Sequence, residues 1–435
     1  MSGEVVRHHH YSVQQVLVVV SLVISAATRV QGAGRAVAVV QDCAGVAGES
    51  PSGSSTRLWL LRVGYYKLTR AKEQAEDWVW IVDQVVQRGP EKCLGIVGIR
   101  LSAVPVEGEY LTHADVEPIA IGPVTQSNGE IVYQQLEEAR QRTGVPREIL
   151  SDQGSDLHKG IRQFCEAPPE TSAVYDIKHK VAAVLKRELG ADPAWAAFST
   201  LATQTIARVQ QTALAALAPP RHRRKARYMN VAELVVWGGH IVQYLDGVGS
   251  QQPDWDPPRV EQAVGWVRQY RQELEQWRQL VEVGTIVEQF VKTHGVTLGG
   301  AAQVQHRLAE TGTLPRTQQL SAELLQFVTA EGAKAKVGER LVGSSEVIES
   351  IFGKWKHWEG DQARRGLTGL VVALGAIVSH TTAAVIKAAL ESVPTKTVLT
   401  WCREKLGKTV QATRRTLFAV QRNAEQKQDQ LQLAA

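Results

Sequence analysis

Three carboxylates are the residues best placed to do chemistry: Asp83, Asp152 and Glu349. Asp83 closes the apolar run Trp78-Val79-Trp80-Ile81-Val82, and Asp152 follows Ile149-Leu150-Ser151 and precedes Gln153-Gly154. Both therefore sit at or beside the end of a strand-like segment. Glu349 lies in a helical pattern in which Val347, Ile348, Ile351 and Phe352 form an apolar stripe, with Ser344 and Ser345 placed to cap its start and Glu346 in its first turn. Lys356 is two turns beyond Glu349 and shares its face.

Acids gathered in one cleft repel each other by several kcal/mol per close pair. A hard divalent cation relieves that repulsion, and an all-oxygen donor set suits Mg2+ (or Mn2+). Two such ions about 4 Å apart could activate a water or a 3′-hydroxyl on one side of a phosphodiester and stabilise the leaving oxygen on the other. In that scheme Asp83 bridges both ions, Asp152 holds one and Glu349 the other, while Lys356 meets the DNA backbone. The plainer alternative for 343–356 is an amphipathic helix with a solvated Glu and Lys.

The elements that must position these acids read as α/β: a mixed sheet interrupted by an all-α insertion and preceded by helices. Strands are expected over 78–86, 92–101, 116–124, 146–152 and 173–177, the first two forming a hairpin across Arg88-Gly89-Pro90-Glu91. Helices are expected over 127–142, capped by Ser127 or Asn128, and over 158–164. From about 180 to 340 the strand signals stop, and helical segments follow over 181–189, 193–217, 231–248, 258–293 and 318–329. After the Glu349 helix come an apolar helix over 367–377, a segment over 381–392, a basic helix over 398–421 and a Gln-rich tail expected to be disordered. The boundaries that follow are 1–72 for a helical DNA-binding domain, 73–180 and 341–395 for the two parts of the sheet domain, 181–340 for the insertion and 396–435 for the basic helix and tail.

The first 70 residues predict three helices, the last over 56–63 with Ser54 or Ser55 at its N-cap. Arg57 and Arg62 are expected on its surface with Trp59. A basic helix behind a turn, closing a helical trio, is what a helix-turn-helix module places in a major groove; a small structural domain is the alternative. Arg221-His222-Arg223-Arg224-Lys225-Ala226-Arg227 is the densest basic cluster and is expected to contact phosphates, with a solvated loop as the other reading.

At 435 residues and 44% hydrophobic content the chain is globular and long enough for several domains. A net charge of +5 leaves the case for a polyanionic partner resting on where the basic residues cluster. Four cysteines without metal-ligand spacing argue against a zinc site or a disulfide framework, and the apolar run over 16–27 is too short to span a bilayer. The expected setting is a reducing cytoplasm, with no membrane partner.

The set Asp83, Asp152 in Ser-Asp-Gln-Gly, and Glu349 with Lys356 resembles the DDE transposases of bacterial insertion sequences, whose catalytic core is RNase H-like. The order of strands and the helical insertion before the Glu helix are similar to the Mutator-like and hAT-like subgroup. Tyr175-Asp176-Ile177-Lys178-His179 resembles the Cys or Asp, two residues, His element of those enzymes, making Asp176 and His179 possible accessory residues; a strand-end Asp and a packed His are the alternative. Ser344-Ser345-Glu346-Val347-Ile348-Glu349 is similar to the Thr-Thr-Asn-x-Ile-Glu context of their glutamate, which favours Glu349 over Glu346. Asp83 departs from the pattern in being followed by Gln-Val, and Asp77 competes with it. The resemblance covers roughly 75–370. It implies a nucleoid-associated homo-oligomer that cuts and joins double-stranded DNA at element ends and takes no small-molecule substrate. A non-catalytic DNA-binding protein and a structure-selective nuclease on the same fold are the other readings. Trp237, Trp266 and Trp277 are expected in the core, with a flipped-base clamp as the alternative.

Overall fold

The computed structural model describes residues 3–45, 48–88, 91–166, 170–221, 231–247, 255–309, 311, 314–359, 367–407 and 413–418. The chain divides into two compact units: Met1–Val106, Tyr110–Ala173 and Ser345–Ala435 form the first, Glu107–Glu109 and Val174–Ser344 the second.

The first unit opens with α1 (Val13–Ile24), α2 (Val30–Cys43) and α3 (Gly53–Thr69). A capping box of Ser12 and Gln15 starts α1, and Ser52, not Ser54 or Ser55, caps α3 by accepting from the Ser55 amide. Next come β1 (Trp78–Arg88), β2 (Glu91–Arg100), β3 (Glu117–Val124), α4 (Gly129–Thr143), β4 (Glu148–Ser151), α5 (Ser155–Glu166) and β5 (Ser172–Tyr175). Asn128 caps α4, one of the two residues the sequence offered. Among the described residues the strands form one five-stranded mixed sheet in the order β3-β2-β1-β4-β5. β1 pairs antiparallel with β2 and parallel with β4, and β2 pairs antiparallel with β3.

One face of the sheet buries Trp78, Trp80 and Val82 of β1 with Leu94 and Ile96 of β2 against Val132 and Leu136 of α4 and Leu157, Ile161 and Phe164 of α5. Burial of this kind stabilises by about 1.5–3 kcal/mol per large side chain. The alternate residues of β1, Val79, Ile81 and Asp83, face the other way.

The second unit is helical: α6 (Ile177–Gly190), α7 (Pro193–Val209), α8 (Val231–Leu245), α9 (Pro257–Val264), α10 (Arg271–His294), α11 (Gly300–Leu308) and α12 (Pro315–Gly332). The single helix expected over 258–293 is broken by a 3-10 stretch at Gly265–Tyr270, which turns Trp266 and Tyr270 onto the Phe198 ring at 5.4 and 5.3 Å between centroids. Trp195, Trp237 and Trp277 complete the ring of aromatics around Phe198. The indoles of Trp237, Trp266 and Trp277 donate to Leu217 O, Thr205 Oγ1 and Asp192 Oδ2; Trp277 is fully buried and Trp237 and Trp266 are half-buried, packed on the same aromatic cluster.

The first unit closes with α13 (Glu346–Glu359), α14 (Leu374–Ile377), α15 (Ala383–Ser392) and α16 (Thr395–Leu406). Where one apolar helix was expected over 367–377 there is a 3-10 stretch at Gly369–Ala373 followed by the single turn of α14. It crosses α3 at backbone contact. A Cβ on Gly64 would lie 2.2 Å from Val372 O, and one on Gly375 would lie 2.6 Å from Gly64 O. The basic helix expected over 398–421 ends at Leu406, where Gly407 takes the left-handed φ of +62°.

This crossing corrects the reading of α3 as a groove-entering helix. Trp59, Arg62 and Lys67 are buried, and Arg62 donates to Leu390 O instead of facing solvent. The Lys67 ammonium donates to Val378 O at 2.7 Å, Ser379 O at 3.0 Å and Thr381 Oγ1 at 2.8 Å, and burial pushes its pKa down to about 7. Of the basic residues expected on this helix surface, Arg57 is exposed. Among the described residues no helix is long and apolar enough to cross a membrane.

Candidate active site

β1 and β4 run parallel, and their last paired residues are Val82 and Ser151. The next residue on each chain is an acid, Asp83 on β1 and Asp152 after β4. Register thus places the two residues next to each other along neighbouring stretches of the chain, with Asp83 on the face of the sheet turned away from α4 and α5. Asp83 is also opposite Gly95 of β2. There a Cβ would lie 2.8 Å from Phe352 Cζ and 3.6 Å from Ile348 Cδ1, so α13 rests on this row of the sheet through the missing side chain.

The apolar stripe expected on α13 is present: Val347, Ile348, Ile351, Phe352, Trp355 and Trp358 are buried. Ser345 O accepts from the amides of Ile348 and Glu349 and so starts the helix. At about 100° per residue, Glu349 lies about 60° around the helix from Phe352 and Glu346 about 120°. That favours Glu349 as the acid nearer the sheet. Lys356 is exposed on the Glu349 side.

Local geometry fixes the two aspartates. Asp83 Oδ1 accepts from the Gln84 amide at 2.6 Å, and Gln84 Nε2 donates to Ser127 Oγ at 2.8 Å. Asp152 Oδ1 accepts from Gly154 N at 2.8 Å across Gln153, which is held at a left-handed φ of +56°. Asp77, the competitor of Asp83, lies before the other end of β1. It pairs with Arg100 and Ser102, and despite partial burial these bonds hold its carboxyl below the usual range.

The aspartate pair offers the hard oxygen donors a divalent ion takes. As the side chains stand, no group of three or more His, Cys, Asp or Glu is close enough to hold a metal among the described residues, so Glu349 is not drawn in with the aspartates. An ion pair that sequence reasoning missed, Lys92 on β2 with Asp156 in the first turn of α5, ties the opposite face at this end of the sheet. The bond from Lys92 keeps the Asp156 carboxyl low. An acid in the first turn of α5 was legible, but its partner 64 residues earlier was not.

The other expected site residues fall elsewhere. In the second unit Asp176 is fully buried and caps α6 by accepting from the His179 amide at 2.8 Å, which is the structural role weighed for it. Arg221 is exposed, while Arg223, Arg224 and Lys225 lie outside the described residues.

No model of a known protein family matches the sequence, and no curated protein matches it. Among solved structures the chain is similar to the Drosophila P element transposase strand transfer complex, at a TM-score of 0.41 and 10% identity over 90% of this chain and 94% of that one. At that score and identity the likeness establishes neither family nor activity.

Proposed function

We propose that this chain is a DDE-type transposase with an RNase H-like core, a metal-dependent polynucleotidyl transferase that acts on double-stranded DNA. The observation that carries the reading is the strand register: Asp83, midway along β1, and Asp152, just after β4, each follow the last residue paired between these two parallel strands, and α13, the helix that carries Glu349, packs over Gly95 opposite Asp83. The order of the strands and the late position of α13, after the helical unit, support the same assignment.

In this reading Asp83, Asp152 and Glu349 hold Mg2+ or Mn2+. The bound ions would supply Lewis-acid activation of the attacking oxygen and the scissile phosphate. The chain's own residues do the positioning. The Gly154 amide fixes Asp152 and the Gln84 amide fixes Asp83 before substrate arrives, while Lys356 on the Glu349 side holds the DNA backbone. Arg57, Arg221 and the basic run through Arg223, Arg224 and Lys225 neutralise further phosphates. A homo-oligomer would bridge two element ends in the cytoplasm.

A non-catalytic DNA-binding protein is the second reading, in which the three acids serve only as structure. A strand-transfer assay decides. Purified protein, Mg2+ or Mn2+ and a duplex carrying the inverted repeat that flanks the gene are incubated beside Glu349→Gln. Joined products should fall by roughly a hundredfold or more in the variant while duplex binding persists. Binding without cutting by both proteins would establish the second reading; equal cutting by both would move the third acid to Glu346. Cutting of repeat-free duplex without joining would identify a nuclease.

A further inference from the structure

The far flank of α13 lines a different feature. At 100° per residue Lys354 lies about 140° around the helix from Glu349, with Ser350 one turn before it. Both meet His113, on the segment leading to β3. Ser350 Oγ is 3.1 Å from His113 Nε2, and Lys354 Nζ is 3.3 Å from His113 Nδ1 and 3.0 Å from Ile24 O. An ammonium donating to Nδ1 leaves the proton on Nε2, so His113 is a donor toward Ser350 and cannot serve as its base. This excludes a nucleophilic serine there.

These residues border a cavity of about 460 Å3 in the first unit, closed on one side by the segment 377–381. Lys354, His113 and His380 line it, with the hydroxyl residues Ser25, Thr112 and Thr381, and no Asp or Glu is among its lining residues. The Lys354 ammonium meets a carbonyl and an imidazole, both neutral. Burial lowers its pKa, and burial and Lys354 together lower that of His113. The Thr112 hydroxyl is committed to the exposed Asp115 carboxylate at 2.6 Å, which leaves the Lys354 ammonium, the imidazoles and the remaining hydroxyls as donors that an anion would satisfy.

The wall is also fixed in advance. Lys67 binds Val378 O, Ser379 O and Thr381 Oγ1 from behind, and Ser379 N donates to His113 O at 2.8 Å. Ser379 is held at a left-handed φ of +52°, and its buried hydroxyl has no hydrogen-bond partner. The hydroxyl has no accessible surface and does not face the cavity, so what Ser379 contributes to the wall is its constrained backbone.

We propose that this cavity binds a phosphate-bearing ligand through Lys354, His113, His380 and the hydroxyls around them. A volume of this size admits a diphosphate group with part of what carries it. The chemistry is shared by two sources, a free nucleotide and the phosphorylated end of a DNA strand. The proposal stands apart from the metal assignment, since Glu349 is on the other flank of the helix.

Calorimetric titration of the full chain with inorganic pyrophosphate tests it. Binding is expected, weakened tenfold or more in Lys354→Gln and in His380→Gln, and unchanged in Lys396→Gln, an exposed lysine on α16. His380 is exposed, so its variant reports on the site even if Lys354→Gln misfolds. ADP and a 5′-phosphorylated duplex are then used to displace pyrophosphate. Displacement by the first alone assigns the nucleotide source, and displacement by the second, but not by its unphosphorylated form, assigns the DNA end. Absence of pyrophosphate binding, equal binding by wild type and both cavity variants, or displacement by neither competitor would overturn the proposal.

Discussion

The two units treat buried charge in opposite ways. In the helical unit the partly buried acids Asp192 and Glu323 meet cations and donors. Asp192 caps α7 and also accepts from Trp277 and Arg316, and Glu323 binds both Arg187 and Lys180. Burial works against ionisation of Asp192, yet those bonds keep its pKa low. The Arg187 hydrogen bond leads in holding Glu323 at about 2. The sheet unit has ion pairs of this kind as well, such as Arg70 and Lys72 on Glu117, with the Lys72 side chain 3% exposed, but two of its lysines differ. Lys67 and Lys354 donate to carbonyls, a hydroxyl and an imidazole. The difference teaches where ligands belong: Asp192 and Glu323 in the helical unit are balanced by charge, whereas Lys67 and Lys354 in the sheet unit rest on neutral acceptors, and of these two Lys354 borders a cavity.

That contrast can be broken or sharpened, starting with the largest expected effect. Phe198→Ala removes the hub of the aromatic ring and should cost about 3–5 kcal/mol. Hydrogen exchange would show lost protection across α7, α8 and α10 with β1 and β2 still protected. Equal loss in β1 and β2 would mean that the two units do not unfold separately.

Lys67→Met comes next. The native pKa of about 7 is below the usual 10.5, so between those values the unfolded chain holds a proton that the folded chain has released. Stability of the sheet unit should therefore fall as pH drops from about 10.5 to 7 and then level off with respect to this group. The methionine variant should lack that slope in thermal unfolding followed across the window. The same slope in both proteins would assign it to another group.

Smallest is Glu323→Gln in the helical unit. The native pKa is below the ordinary carboxylate value, so the stabilisation is complete above about 4.5 and is lost as pH falls toward 2. The pair is partly exposed, and the variant should lower stability at pH 7 by about 1 kcal/mol or less. Acid unfolding of the helical unit, followed by hydrogen exchange in α6 and α12, should lose part of its steepness below pH 4.5. An unchanged acid limb would show that the Arg187 and Lys180 contacts carry no net stability.

Sequence alone determined what depends on near neighbours. Asn128 as a cap, the Trp78–Val82 alternation, the apolar stripe of α13 and Asp152 just past a strand end were legible because caps, period and turn chemistry act within a few residues, whereas Asp83 does not end its strand, since β1 runs on to Arg88 against β2. The break at Gly265–Tyr270 and the burial of Arg62 were not, since a helix continues or turns, and a basic side chain faces water or a carbonyl, according to what packs against it. Tertiary structure also decided that β4 pairs with β1 in the register that sets Asp152 beside Asp83, and that His113 meets Lys354 from 241 residues away. Neither fact has a local cause. Long-range pairing is settled by the joint burial of whole faces, and no short window of sequence contains both partners of such a contact.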